Sequence, residues 1–262
     1  MKVLTFLTDF GLKSNYVAQM KAVVLNIVDA NIIDISHNIA PQNITEGAFL
    51  LKTTVPFFPN GSVHVAVVDP GVGTQRRGIV IATKTQILIG PDNGLLIPAA
   101  RHLGDFEVYE IKNKNLMMNE VSNTFHGRDI FAPVAAHILK GVYFNEIGPR
   151  ITDYNDLNIQ ESKFTEKTIE GKIISIDSFG NIITNINGLK LKKVLEYNKN
   201  VIAYIGKTQI KLPFLKTYGE AKKDQVLASI GSSNLLEISI NLGNAAEKYK
   251  IKNGEDIKIL YG

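Results

Sequence analysis

Three carboxylates and one imidazole stand at the ends of apolar runs in the first half of the sequence. Asp9 follows the run Lys2 to Leu7, and Asp69 follows Val63 to Val68. Asp92 sits in Gly90-Pro91-Asp92-Asn93-Gly94, and His126 lies in Asn123-Thr124-Phe125-His126-Gly127-Arg128-Asp129. An acid at the carboxyl end of a parallel strand lies where open α/β sheets bind ligands. Asp69 is also followed by the rigid turn Pro70-Gly71 and by a nearby arginine, Arg76 or its neighbour Arg77. Any one of these acids, read alone, is equally a turn cap. Together they admit three readings: independent caps, a metal site for hydrolysis, or a metal-free site that binds hydroxyls and activates water.

A metal site needs several hard or imidazole ligands in one cluster. His126-x-x-Asp129 and His37 offer such ligands, but there is no compact motif such as H-E-x-x-H. Gly71-Val72-Gly73 matches neither G-x-G-x-x-G nor a Walker motif, so it does not define a phosphate loop. His64 and His102 read as structural. His126 differs, because Gly127 leaves space beside it just ahead of a helix.

The elements that must position these residues follow from periodicity. Lys2 to Leu7 is a strand. Ser14 is placed to cap a helix carrying Tyr16, Val17, Met20, Val23, Val24 and Ile27 at helical spacing. Asn31 to Ile35 is a second strand, and Asn43 with Glu46 resembles a capping box opening a helix to about Val55. Val63 to Val68 is apolar throughout, as in a strand covered on both faces. A hairpin-like pair, Gly78 to Thr83 and Gln86 to Ile89, is followed by a short helix from Leu95 to His102, a strand from Phe106 to Ile111 and a helix running to about Leu139. This alternation predicts an α/β layered domain over 1–150 with mostly parallel pairing. After a polar linker at 151–162, short β-rich runs over 163–262 predict a small β-barrel or sandwich.

Composition bounds the function. At 262 residues, 45% hydrophobic and 21% charged, the chain is globular and long enough for one large or two smaller domains. With no cysteine there is no disulfide or thiolate metal site, which fits a cytoplasmic protein. An acid, Asp9, arrives before any long apolar region, so no signal peptide is expected. No apolar run reaches the roughly 18 residues of a membrane span. The net charge of +4 is spread as scattered lysines without an arginine–aromatic patch, so no nucleic-acid partner is expected.

The chain resembles the S-adenosyl-L-methionine (SAM) hydroxide adenosyltransferase family, relatives of the fluorinase and chlorinase. The segments that carry the resemblance are Thr8-Asp9-Phe10-Gly11, Tyr16-Val17 with Met20-Lys21, Asp34-Ile35-Ser36-His37, Val68 to Thr74, Gly90 to Gly94, Thr124 to Asp129, Asp177 to Asn181, and Leu235 to Ile238 with Asn241 to Ala246. The resemblance implies an amino-terminal α/β domain, a carboxy-terminal β-barrel, and a homotrimer with sites between subunits. The reaction it implies is SAM plus water giving adenosine and L-methionine, with SAM as substrate and no cofactor or metal.

The family's Asp–Arg–His set falls on Asp69, Arg76 and His126, with Arg77 adjacent. Asp9 matches the acid that holds the ribose hydroxyls. Asn181, Asn234, Glu237 and the backbone at Leu242 match the adenosine wall, and Asp177 and Ser232 the methionine end. Phe179 offers an aromatic surface for the adenine, or is barrel core. The halogenating relatives carry Tyr and Thr where this chain has Asp69 and Val72, and the fluorinase has Ser where this chain has Gly127. It also has an extra loop that is missing here. These differences favour water over halide. Ser14 replaces an Asp common in the family. The alternatives are a metal-dependent hydrolase on Asp9, Asp69, Asp92 and His126, a non-catalytic SAM or adenosine sensor, and a halogenase.

Overall fold

The computed structural model describes residues 2–157 and 161–261. The chain divides into two compact units, Met1–Asn158 and Ile159–Gly262. Of the expected linker at 151–162, residues 158–160 lie outside the described residues. Its start is strapped to the first unit. Arg77 donates to Asp153 Oδ1 at 2.9 Å, Asn155 N–H to Asp92 Oδ1 at 2.7 Å, and Arg101 to both oxygens of Asp156 at 3.1 and 2.7 Å.

The first unit is built on strands β1 (Val3–Thr8), β2 (Asn31–Ser36), β3 (Val63–Val67), β4 (Gly78–Thr83), β5 (Ile87–Pro91), β6 (Phe106–Glu110) and β7 (Arg150–Ile151), in the order β2-β1-β3-β5-β4-β6-β7. Pairing is parallel along β2-β1-β3-β5 and antiparallel from β5 through β4 and β6 to β7. The sheet is therefore mixed, because the tight β4–β5 connection can join only antiparallel neighbours. Helices α1 (Tyr16–Ile27) and α4 (Ala132–Lys140) pack together, as do α2 (Ile44–Thr54) and α3 (Ile97–Leu103); α5 (Phe144–Ile147) is a short turn beside β6.

Two cores result. Leu4, Phe6, Val63, Val65 and Val67 face Met20, Val24 and Phe131, while Leu7, Ala66 and Val68 face Leu51, Leu88 and Leu95. Alternation along a strand sends successive residues to opposite faces, and both faces are covered, so β1 and β3 read as unbroken apolar runs. Burial of every residue in each strand agrees.

Two expected caps come out differently. Asn43 does accept from Glu46 N–H at 3.1 Å, but the Glu46 carboxylate takes Ala40 N–H and Asn43 Nδ2 instead of closing a reciprocal box. The N-cap of α1 is Asn15, not Ser14, and its side chain makes no capping bond. Asn15 already has near-helical dihedrals (φ −83°, ψ 3°), which moves the first turn one residue on.

The second unit holds β8 (Lys163–Phe164), β9 (Thr168–Ile176), β10 (Ile182–Asn187), β11 (Asn200–Ile205), β12 (Thr208–Pro213), β13 (Val226–Ile230), β14 (Leu235–Ile240) and β15 (Asp256–Leu260), with α6 (Gly188–Leu191) and α7 (Ala245–Tyr249) between them. The order β12-β11-β15-β9-β10-β14-β13 is antiparallel throughout. A bridge from Phe214 to Ala228 draws its two ends together, giving a nearly closed barrel. Ile169, Ile173, Ile182, Ala203, Ile205, Leu212 and Ile238 fill its interior. Among the described residues no helix is long and apolar enough to cross a membrane.

Candidate active site

Register brings the acids of the first unit to one sheet edge. Thr8 pairs with Val67 and Val65 with Ile89. Asp9, Asp69 and Asp92 therefore follow the carboxyl ends of three neighbouring parallel strands, β1, β3 and β5. That edge is where sheets of this kind bind ligands.

Beyond β3 the chain turns tightly. Val72 N–H donates to the Asp69 carbonyl at 3.2 Å, and Thr74 Oγ1 to the Gly71 carbonyl at 2.7 Å. Gly73 has φ +76°, and a β-carbon there would stand 2.3 Å from the Asn123 carbonyl oxygen. Only glycine permits that approach, which lays the Asp69–Arg76 loop against the segment leading to His126.

Arg76 is the hub of the arrangement. Its Nε donates to both Asp69 oxygens at 3.0 Å, and its Nη2 donates to Asp69 Oδ2 and, at 2.8 Å, to His126 Nδ1. Its guanidinium carbon lies 5.2 Å from the ring centre of fully buried Phe131. The Arg76 and Asp69 side chains are only 10% and 5% exposed, so the pair is nearly dry. A bidentate guanidinium–carboxylate contact fixes both groups geometrically.

The hub also determines the state of the imidazole. A guanidinium has donors only, so His126 Nδ1 accepts, and the proton of the neutral ring sits on Nε2. Burial pushes the His126 pKa below its usual value, and the Arg76 cation pushes it further down; the carboxylates of Asp69 and Asp129 oppose this. His126 is thus a neutral ring presenting one N–H.

His126 precedes a single π-helical turn, Gly127–Phe131, that leads into α4. Such turns often accompany functional sites. Here the turn places Phe131 under Arg76 and buries Asp129, which accepts from Arg128 Nε at 2.6 Å and from Ser122 N–H and Oγ at 2.8 and 2.7 Å. The space expected beside Gly127 is filled: a β-carbon there would meet Met20 Sδ at 3.3 Å and Phe10 Cε2 at 3.5 Å. Phe10, Tyr16 and Phe125 pack edge to face next to it.

The two adjacent arginines separate cleanly. Arg77 takes no part in the Asp69–His126 contact; its Nε and Nη2 donate to Asp92 Oδ2 at 3.0 and 2.8 Å. Asp92 is almost fully buried and also accepts from Asn155, so it ties the sheet edge to the 153–156 strap. Asp9 Oδ2 accepts from Gln42 N–H at 2.8 Å. His37 bonds Thr8 and approaches Asp34. His64 sits between Thr5 and Gln86. The acids of the metal reading are thus divided among separate partners, and among the described residues no three His, Cys, Asp or Glu side chains gather as a ligand set.

In the barrel unit a cavity of about 510 Å³ is lined by Asp177, Ser232 and Glu237 together with Tyr218, Lys216 and Ser229. Asp177 shapes its own turn, accepting from Phe179 N–H, Asn181 N–H and Asn181 Nδ2 at 2.8–2.9 Å. Buried Glu237 accepts from Tyr218 OH and from Ser239 Oγ. Burial, and then that carboxylate, push the Tyr218 phenol far above its usual pKa. Tyr218 was not singled out in the sequence, because its short 3₁₀ turn carries no periodic signal.

Phe179 is 75% exposed, which rules out the barrel-core reading. Asn234 and Leu242 hold left-handed turns (φ 57° and 58°), and Leu242 is 79% exposed. Asn181, Phe179, Asn234 and Leu242 lie outside the lining of the cavity that Asp177, Ser232 and Glu237 share.

The chain thus joins an α/β unit holding an arginine-bridged Asp–His pair beyond its strand ends to an antiparallel barrel unit with a cavity lined by Asp177, Ser232 and Glu237. Residues 4–148 match the SAM hydroxide adenosyltransferase N-terminal domain and 171–258 its C-terminal domain. The chain belongs to the SAM hydroxide adenosyltransferase family. It is 39% identical, over 100% of its length and 97% of the relative's, to the (R)-S-adenosyl-L-methionine hydrolase of Methanocaldococcus jannaschii. It is 28% identical to the fluorinase of Actinoplanes sp., covering 98% of this chain and 97% of the fluorinase. The crystal structure of an uncharacterized conserved protein from Thermotoga maritima superimposes with a TM-score of 0.93 at 38% identity, covering 98% of this chain and 100% of that one.

Proposed function

We propose that this protein hydrolyses S-adenosyl-L-methionine to adenosine and L-methionine by attack of water on the ribose C5′. The observation that carries the mechanism is Arg76 donating at once to Asp69 and to His126 Nδ1. The electrophile is a carbon attached to a sulfonium, and the leaving group is a neutral thioether, so no general acid is needed. The enzyme must supply a water molecule in line with the C5′–S bond. Holding such geometry contributes about 7–11 kcal/mol in favourable cases.

Water has two lone pairs and two protons to place. In our reading His126 Nε2–H donates to one lone pair and the other attacks C5′. Asp69 accepts one O–H and takes the proton as the C–O bond forms, while the C5′–S pair leaves with methionine. Arg76 holds Asp69 and His126 in one fixed geometry through its contacts to both.

Asp9, oriented by Gln42 N–H, accepts from the ribose 2′ and 3′ hydroxyls. Asp177 and Ser232 receive the methionine end, and Asn181, Phe179, Asn234, Glu237 and the backbone at Leu242 the adenosine. The relatives' name specifies the R configuration at sulfur, and we extend that preference to this chain. We further propose a cytoplasmic homotrimer that needs no metal or cofactor.

The direct test is to incubate purified protein with SAM in the presence and absence of a strong chelator and to separate the products. Adenosine and methionine in both samples support the proposal. SAM returned intact indicates a sensor, and activity lost to chelation indicates a metal hydrolase. Light scattering of the eluted protein tests the trimer.

A further inference from the structure

His37 entered as a possible metal ligand, and the proposed chemistry does not use it. The ring is 3% exposed, and a buried imidazole must find partners to offset its desolvation. One partner is Thr8 Oγ1, 2.8 Å from His37 Nδ1, on the last residue of β1. That hydroxyl also accepts from Phe10 N–H at 3.2 Å. The other ring nitrogen, Nε2, stands 3.1 Å from Asp34 Oδ1 without the geometry of a hydrogen bond. Asp34 Oδ2 is held in turn by Lys21 Nζ at 2.6 Å. The backbone adds a second tie, with Gly11 N–H donating to the His37 carbonyl at 2.7 Å.

These contacts converge on one four-residue turn, Thr8-Asp9-Phe10-Gly11. His37 grips it at Thr8 and at Gly11, and Asp9 lies between the two grips. Gly11 takes φ +68°, so the turn is a defined left-handed bend. We infer that His37 is a positioning residue: with Thr8 and Asp34 it fixes the Asp9 turn and so aims the Asp9 carboxylate at the ribose hydroxyls. The inference rests on the reading of Asp9 as the ribose-binding acid.

The test crosses three changes with Asp9→Ala and measures KM for SAM, kcat and urea stability for each protein. Thr8→Val removes only the hydroxyl at nearly constant volume. His37→Ala removes both side-chain contacts, and His37→Asn keeps an acceptor close to the position of Nδ1. A hydrogen bond to a charged group is worth about tenfold in affinity. Thr8→Val and His37→Ala are therefore expected to raise KM about tenfold, with kcat lowered less than threefold, and His37→Asn to restore most of the loss. In the Asp9→Ala background the same changes add less than about twofold, because the acid they aim is gone.

Folded Thr8→Val and His37→Ala proteins with unchanged KM overturn the inference. So do KM effects that multiply fully with that of Asp9→Ala, since they would reflect general loosening of the fold. If Asp9→Ala alone leaves KM unchanged while SAM is still hydrolysed, the ribose reading of Asp9 fails, and this inference with it.

Discussion

Replacing Asp69 by asparagine keeps the shape of the side chain and removes its charge. In the native arrangement the carboxylate accepts from Arg76 Nε at 3.0 Å on both oxygens and again from Nη2, with the two side chains 5% and 10% exposed. In Asp69→Asn the guanidinium stays buried without a counter-charge. Breaking a buried pair from one side costs about 3–5 kcal/mol. The same change removes the proposed acceptor of the water proton, and losing a positioned base lowers rate by about 10²–10⁴, or about 2.7–5.4 kcal/mol of barrier.

Both losses are measurable in one preparation, by urea unfolding and by chromatographic detection of adenosine at saturating SAM. Turnover is expected to fall at least a hundredfold while SAM still binds, and the urea midpoint to fall with it. Turnover within twofold of the native protein would refute the role of Asp69 in handling water. Lost turnover at an unchanged urea midpoint would refute the claim that the pair is buried and mutually compensating.

Arg77→Gln strips buried Asp92 of its cation and is expected to cost about 3–5 kcal/mol in urea unfolding with kcat nearly native; Arg76→Gln should abolish turnover, and the reverse pattern would exchange the two arginines. If His126 acts as proposed, as a neutral ring with its pKa held below the ordinary value, kcat should stay flat from pH 8 to about 7 and decline only at lower pH as Nδ1 takes a proton and loses Arg76. A decline already beginning above pH 7 would contradict that state. His64 is fully buried between Thr5 and Gln86, and burial lowers its pKa to about 4. The unfolded chain protonates near 6.5, so stability present above that pH is lost as pH falls toward 4, by about 2 kcal/mol between pH 7 and 5. Urea midpoints at the two pH values measure this loss, and His64→Gln should flatten the slope. Pure sulfonium epimers of SAM should be hydrolysed unequally, the R form faster; equal rates would remove the stereochemical proposal.

The strands that carry the site could be read from the sequence because both faces of β1 and β3 are covered, which leaves an unbroken apolar run ending in an acid. The strand-end position of Asp9, Asp69 and Asp92 follows from that pattern alone. What joins Asp69 to His126 does not, since Arg76 and His126 lie 50 residues apart and meet only through packing. The choice between Arg76 and Arg77 was open for a related reason: neighbours ahead of a strand face opposite ways, so one reaches Asp69 and the other Asp92.

The π-helical turn at Gly127–Phe131 and the lining of the barrel cavity by Tyr218 leave no periodic trace. The strand β12 alternates, with Ile210 and Leu212 inward and Gln209 and Lys211 outward, although it holds few apolar residues and ends in a proline. The filling of the space beside Gly127 by Met20 and Phe10 could not be seen, because it depends on how α1 docks against the π turn.

The central claim is that a water molecule gripped by Asp69 and His126 forms the new bond to the ribose carbon. A single turnover in water enriched in heavy oxygen, followed by mass analysis of both products, addresses it directly. The account predicts one label in adenosine, on the 5′ oxygen, and none in methionine. Unlabelled adenosine, or label recovered in the methionine fragment, would contradict it.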